Sequence, residues 1–463
     1  MKTLRRFTPK TCITLVASLI LSVFTINAQT ILDSDTQSFR VAGYLRTGLG
    51  GSEGGDVMAT FQIPGALNKF SLGNQADTYG EVEFDYRYFI DKESGKSIDA
   101  IWMVSYFERF GSEYAMFFHR AEQLYFRFNN LFNHGETIWA GKRFYNRRAI
   151  YMLDRQWLNP GQGGIGLGVE NLFNISGSKE DIRFGVWQFR NKNVTSAYNG
   201  EVGTIYNYNF DIRWIHHPIC ENLNINAAIN VAYRQRNFDL GYDGAWGFGA
   251  FGWIDYENGN ITNTTALLFR QGATQPINHW TGKSDIENPL NNNIILNDLS
   301  KSYTVELNSE FLYDNKETFA INATFVGAIR NYGTTPHYAY TSTISLENIY
   351  DSESVEGYSD GKMFYWLALG VRPTYYLAKN FRLTAEVTQE FVNNRQLGVG
   401  GNMTRFTFSP ELALSKGYFA RPILRPAVSY ARWNSGLEGY IGGDVYNDTT
   451  HGFTYSLQFE IWW

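Results

Sequence analysis

At three places in this chain an aromatic ring and an ion stand two residues apart: Tyr44 and Arg46, Tyr79 and Glu81, Glu460 and Trp462. Residues two apart share one face of an extended strand. A pyranose has an apolar C–H face that stacks on such a ring, and a rim of hydroxyls that exchanges hydrogen bonds with Arg, Glu and Asp. A row of weak sites of this kind would let a ligand slide along, because conduction needs binding that favours entry without preventing exit. The plainer reading is that the rings fill space or belong to an interfacial girdle.

Strands must present these residues, and the end of the chain reads as one. In its last ten residues Tyr455, Leu457, Phe459, Ile461 and Trp463 share one face, while Ser456, Gln458, Glu460 and Trp462 share the other. A terminal strand with an apolar face and a charged face is typical of outer-membrane barrels, where one side meets lipid and the other a lumen. Trp462 is then a large ring on the wet side. The same logic turns Val41, Gly43, Leu45 and Thr47 to lipid and Tyr44 and Arg46 inward. From Thr78 to Tyr88 it turns Tyr79, Glu81, Glu83, Asp85 and Arg87 inward. First and last strands pair to close a barrel, so Trp462 and Tyr44 are expected side by side with Tyr79 next in line.

The first residues carry Lys2, Arg5, Arg6 and Lys10, then an apolar run from Ile13 to Val23, then Thr25-Ile26-Asn27-Ala28-Gln29. This is the pattern of an export signal cut after Ala28, which leaves residues 29–463 as one domain. No later run is long enough for a membrane helix, so a bilayer can be crossed only by strands closed into a barrel. A mean hydropathy of −0.31 fits, because lumen residues dilute the average. Of the two cysteines Cys12 leaves with the signal and Cys220 stays alone, which excludes an intrachain disulfide. A net charge of −5 gives no basic patch for nucleic acid. Aromatics are 16% of the chain, which suits both interfacial girdles and sugar binding.

Alternation recurs without a helical block. Leu223, Ile225, Ala227, Ile229, Val231 and Tyr233 oppose Asn224, Asn226, Ala228, Asn230, Ala232 and Arg234; the stretches Phe319–Arg330 and Phe381–Thr388 repeat the pattern. Each is about ten residues, the length that crosses a bilayer when tilted. Turn-rich stretches at Asn291-Asn292-Asn293, Asp351-Ser352-Glu353-Ser354 and Gly398-Val399-Gly400-Gly401 read as outer loops. At about two dozen residues per strand and connection, the chain makes an even-numbered all-β antiparallel barrel in the high teens, wide enough for a channel.

The segment Trp139-Ala140-Gly141-Lys142-Arg143-Phe144-Tyr145, then Arg147, Asp154 and Gly166-Leu167-Gly168-Val169-Glu170-Asn171, resembles the signature region of the maltoporin family of carbohydrate porins. Gly43-Tyr44-Leu45-Arg46, Leu72-Gly73-Asn74, Thr78-Tyr79, Arg421-Pro422, Leu424-Arg425 and Glu460-Ile461-Trp462-Trp463 add to the likeness, while Leu172 to Asn380 matches mostly in pattern. The resemblance implies an 18-stranded barrel and a homotrimer in the outer membrane of a Gram-negative bacterium. It also implies passive diffusion of maltose and maltodextrins along an aromatic slide between polar tracks, with no cofactor. By motif, Tyr44, Tyr79, Trp462 and Phe419 fall on the slide, and Arg46, Glu81, Arg120, Arg147 and Asp154 on the tracks. There are departures: a track arginine appears as Ser71, a track aspartate as Ala149, and the narrowing tyrosine as Gln156, with Trp157 adjacent to take its place. The family's first-loop cysteines correspond to Thr60 and Ala76, and Phe110 or Tyr114 is the nearest aromatic to the one a neighbouring subunit contributes.

Other chemistry is poorly served. Gly95-Lys96-Ser97 and Gly282-Lys283-Ser284 end like phosphate loops but have Ile90 and Ile277 where a glycine is needed. His216 and His217 are adjacent, so on a strand they point apart and would not share a metal. A barrel lipase needs a Ser and His on neighbouring faces, and the chain has no nucleophile elbow. The readings that remain are a sugar-selective porin and a general or anion-selective diffusion pore, neither an enzyme.

Overall fold

The computed structural model describes residues 29–463 except 56, 67, 110–119, 159–162, 172–179, 196–201, 241–242, 275–300, 332–362 and 396–397. The export-signal reading over residues 1–28, Phe110 and Tyr114, Gly282-Lys283-Ser284, and the turn stretches at 291–293 and 351–354 lie outside them. The strands are β1 (Gln29–Asp33), β2 (Gln37–Ser52), β3 (Asp77–Asp91), β4 (Lys96–Arg109), β5 (Arg120–Asn129), β6 (Thr137–Lys142), β7 (Arg148–Ile150), β8 (Arg155–Leu158) and β9 (Ile165–Glu170). They continue as β10 (Asp181–Thr195), β11 (Val202–Cys220), β12 (Leu223–Arg234), β13 (Ala245–Asn258), β14 (Ile261–Gly272) and β15 (Tyr303–Asp314). The last six are β16 (Phe319–Asn331), β17 (Met363–Tyr376), β18 (Phe381–Asn394), β19 (Val399–Ala413), β20 (Ile423–Trp433) and β21 (His451–Trp462).

Eighteen of these form a closed antiparallel barrel, as the family resemblance implied. Closure runs through β2 and β21, in register from Tyr44 opposite Trp462 to Ser52 opposite Thr454. Below that seam β1 takes over the edge of β2, with Gln29 opposite Val41, so the edge is not left bare. The terminal Trp463 exchanges two backbone hydrogen bonds with Gly43, each 3.0 Å. A side chain on Gly43 would meet its indole at 2.3 Å, so that glycine is what admits the terminal ring.

The period-2 pattern is carried through. In β12 and β16 the aliphatic residues face out and Asn226, Asn230, Asn322 and Thr324 are buried inward. One turn expectation changes: Gly400 and Gly401 belong to β19 rather than to a loop. A Cβ on Gly401 would lie 2.0 Å from Asn434 Oδ1, so the glycine records a close packing contact instead of a turn.

The interior is partly filled. The segment 57–76 and the ribbon of β7 and β8 fold into the lumen. Phe61, Ile63, Phe70, Met152, Leu153 and Trp157 pack there on Trp253, Phe364, Trp366 and Trp433 of the wall. Backbone inside a barrel still needs hydrogen-bond partners, and wall arginines supply them. Arg405 donates to the carbonyls of Leu72 at 2.7 Å and Phe70 at 3.2 Å, Arg270 to that of Trp157 at 2.7 Å, and Arg213 to that of Asn146 at 3.0 Å. Asn74, fully buried, closes the first segment on itself: it accepts from Phe61 N at 2.7 Å and donates to the carbonyls of Phe61 at 2.8 Å and Phe70 at 2.9 Å.

Asn74→Ala therefore strands three buried backbone groups and should cost about 2 kcal/mol of local stability, roughly 30-fold in the opening equilibrium of this segment. Limited proteolysis of the folded barrel checks this. Faster cleavage within 57–76 is expected, and an unchanged rate would show that the apolar contacts alone hold the segment.

Candidate functional site

Register across the closing seam sets aromatic and ionic residues on alternate squares. Trp462 of β21, Tyr44 of β2 and Glu81 of β3 form one row, and Glu460, Arg46 and Tyr79 form the next. Phe107 of β4 continues the second row beside Tyr79. The rings thus lie on a diagonal. Tyr44 stacks on Trp462 with centroids 6.4 Å apart and interplanar angle 22°, and Tyr79 follows at 6.0 Å from Tyr44.

The ions between the rings are held by one another. Arg46 donates to Asp77 at 2.6 and 3.2 Å, to Asp154 at 3.4 Å, and to the Tyr44 hydroxyl at 3.4 Å. The Tyr44 hydroxyl donates to Glu460 Oε1 at 3.1 Å, and the Tyr79 hydroxyl donates to Glu81. Glu460 Oε2 accepts from Arg421 at 2.8 Å and Arg425 at 2.5 Å. The Arg421 guanidinium lies 4.3 Å over the Trp462 ring, which remains 36% exposed.

Opposite this seam stands the ribbon. Arg148 pairs with Leu158, Ala149 with Gln156 and Ile150 with Arg155. Its turn closes at Asp154, whose φ of 48° an aspartate accepts readily. Arg147, Ala149, Tyr151, Asp154 and Gln156 face open space, whereas Ile150, Met152, Leu153, Arg155 and Trp157 are buried against the wall. Glu310 of β15 fixes the turn, accepting from Tyr151 N at 3.0 Å and Met152 N at 3.4 Å. Tyr151 meets Phe419 edge-on at 5.0 Å, and its hydroxyl accepts from Arg421. Ring and guanidinium contacts therefore run unbroken from Tyr79 to Phe419.

Eight of the ten residues expected from sequence border one space of about 700 Å³: Tyr44, Arg46, Tyr79, Glu81, Arg147, Asp154, Phe419 and Trp462. Arg120 begins β5, but its side chain lies outside the described residues. Trp157 is a correction. The alternation that sends Gln156 to the lumen sends Trp157 to the wall, where it is 2% exposed and packs edge-on against Trp253 at 5.9 Å. The aromatic of the ribbon that borders the space is Tyr151. Where the resemblance expected an arginine at Ser71, Arg372 reaches from β17 and donates to Ser71 Oγ at 3.3 Å.

Sequence reasoning left out Phe107, Glu310 and Arg372, and named Arg425, Gln458 and Glu460 without assigning them to the polar tracks, although all six border the same space. Gln458 and Glu460 share the face of Trp462 and were open to the parity argument. Glu310 and Arg372 were not, because parity turns dozens of residues inward and cannot say which meet. The other candidates stay structural. Gly95 is in the tight turn between β3 and β4 with φ 75°, and the Ser97 hydroxyl donates to Asp99 at 3.2 Å. His217 pairs with Glu180, while His216 N donates to Asn226 at 2.8 Å.

Glu460→Gln should keep the Tyr44 contact through its amide oxygen while removing the acid paired with Arg421 and leaving Arg425 with Glu411 alone. The reversal potential in a salt gradient should shift towards anion selectivity. No shift would mean that permeating ions do not sense this carboxylate.

The sequence model of the family described as LamB porin matches residues 39–463. Among solved structures, the outer membrane channel DcaP of Acinetobacter baumannii aligns with TM-score 0.48 and 8% identity over 93% of this chain and 99% of its own. OmpT, an outer membrane protein of Vibrio cholerae, aligns with TM-score 0.41 and 10% identity over 94% and 100%. Wzi of Escherichia coli, described as a carbohydrate binding β-barrel, aligns with TM-score 0.37 and 12% identity over 98% and 89%.

Proposed function

The chain belongs to the LamB porin family, and from that premise we propose that it is a non-enzymatic, sugar-selective porin of the outer membrane of a Gram-negative bacterium. In this reading residues 29–463 are the mature porin, exported by a signal over residues 1–28. The ligand is maltose, a maltodextrin or a related neutral oligosaccharide, diffusing passively. Tyr79, Tyr44, Trp462 and Phe419 stack on successive rings of the sugar. Arg46, Glu81, Arg147 and Asp154, with Arg120 by family likeness, exchange hydrogen bonds with its hydroxyls.

The observation that carries this is the diagonal of rings on the lumenal face, each within about a ring diameter of the next. A pore that only sorted ions by charge would have no use for contiguous apolar faces on its wet side. The ions beside the rings are already paired, so they offer hydrogen bonds with little net field, which suits an uncharged ligand with many hydroxyls. Tyr151 and Arg421 bridge the gap between Trp462 and Phe419.

The homotrimer belongs to this reading, and the height of the wall supports association between copies. β6 and β9 have six residues each, about 20 Å at roughly 3.3 Å per residue before any tilt, against roughly 30 Å of hydrocarbon. Trp102, Leu124, Phe126, Ile165 and Leu167 are exposed on and beside this low stretch. Protein from neighbouring copies covers it better than lipid can, since lipid would face loops it cannot hydrogen-bond.

Single-channel current across a planar bilayer tests the reading, with maltose, maltohexaose, sucrose and an uncharged non-sugar polymer. Saturable block by an oligosaccharide is expected, weakened roughly 2- to 10-fold in Tyr79→Ala and in Trp462→Ala, the worth of one ring contact. Tyr151→Ala should raise the open-channel current. A current indifferent to every sugar would leave a general or anion-selective diffusion pore.

A further inference from the structure

Four rings at the seam stand one to a strand. Trp462 of β21 is opposite Tyr44 of β2, and Tyr79 of β3 is opposite Phe107 of β4. Glu81 is the β3 residue opposite Tyr44, so the second pair of rings is displaced by two residues along the strands. A shift of two keeps side chains on one face, and the rings make a stair of two level pairs with one step between them. All four border the same space. The proposed sugar path takes in three of them and omits Phe107.

Phe107 differs from the rings beside it. The hydroxyls of Tyr44 and Tyr79 end on Glu460 and Glu81, whereas a phenyl ring has no polar atom to satisfy and offers an apolar face alone. A ring that only filled the core would be fully buried, and Phe107 is half-buried on the open space. A girdle ring would face lipid, as Trp102 does from the opposite parity of the same strand. Two residues before Phe107, on its own face, the Ser105 hydroxyl donates to Glu122 at 3.0 Å, which sets hydrogen-bonding groups beside the ring.

The connections fix which end of the path this is. β3 and β4 are joined at one end by the short turn 92–95, while at the other β3 follows residues 53–76 and β4 runs into residues 110–119. Barrels of this class keep short turns on the periplasmic side and longer loops outside. Tyr79 is third from the start of β3 and Phe107 third from the end of β4, so both are at the outer end. Phe419, between β19 and β20, is at the turn end.

We propose that Phe107 is the capture ring of the channel, the apolar face on which an oligosaccharide first stacks when it enters from outside, before it passes to Tyr79. This rests on the sugar reading above and adds to it a role that depends on the side of entry. A ring at one end of a path is met first by ligand from that side and last by ligand from the other. It therefore governs association from its own side.

The test is single-channel current through the native assembly in one orientation, with maltohexaose added to one side of the bilayer at a time. Phe107→Ala should lower the association rate from one side roughly 2- to 10-fold, the worth of one ring contact, and leave the rate from the other side within about 2-fold. Phe419→Ala should show the opposite sidedness. Phe107→Leu keeps apolar volume without the flat face, so it should match Phe107→Ala and serves if that variant does not fold. Phe107→Trp should restore the rate. An unchanged rate in Phe107→Ala, an equal loss from both sides, or a wild-type rate in Phe107→Leu would overturn the assignment and leave the sugar reading in place. Absence of block in the wild type would remove the maltodextrin reading and this assignment with it.

Discussion

Chain that leaves the barrel wall and folds into its lumen carries backbone groups with no strand to pair with, and the structure depends on how those groups are satisfied. The wall answers with guanidiniums. Arg213, Arg270 and Arg405 are buried on the inner face of three different strands, and each donates to carbonyls of the inward segments. Arginine suits the task because its five donors fan out in one plane, so a single residue can bind a carbonyl and an acid together. Arg405 does this, bridging the carbonyls of Phe70 and Leu72 to Glu386. The acids on the wall, Glu386, Glu411 and Glu306, are counterweights to these arginines rather than independent features.

That arrangement explains how far the sequence could be read. Inward and outward faces follow from period 2 alone, and so does the meeting of Tyr44 with Trp462, since closure fixes which strands adjoin and parity fixes which side chains share a face. Both constraints are local to a strand or imposed by topology. The inward ribbon obeys neither. It has three residues in β7 and four in β8, too few for a periodic signal, and its course is set by contacts with wall positions more than a hundred residues away, such as Arg148 with Asp255 and Tyr151 with Glu310. Tyr151 was therefore invisible as a residue bordering the space.

Trp157 is instructive because parity did apply to it once the ribbon is known. Gln156 and Trp157 are neighbours on one strand, so only one can face the lumen, and the apolar ring goes where Trp253 and Trp366 already make an apolar wall. Those two tryptophans occupy inward positions that a polar lumen would not tolerate. Inward-facing tryptophans on well-formed strands are thus a sequence-level sign that something apolar folds in against them. The glycines at 400 and 401 carry the same lesson, since a run that resembles a loop is a strand pressed by Asn434 and Leu437.

The checkerboard at the seam has a consequence for energetics. A side chain that must be recruited from solution to meet a ligand pays rotamer entropy at the moment of binding. Arg46 is already fixed by Asp77, Asp154 and the Tyr44 hydroxyl, and Glu460 by Arg421, Arg425 and Tyr44, so that cost has been met in folding. The rings are fixed by the same bonds, because the hydroxyls of Tyr44 and Tyr79 end on Glu460 and Glu81. Under the proposed sugar reading, such a surface gains little from any one contact with a passing ligand, yet offers the same small gain at each step. Uniform, shallow wells are what transport along a wall requires, whereas a deep well at any one ring would hold the ligand there.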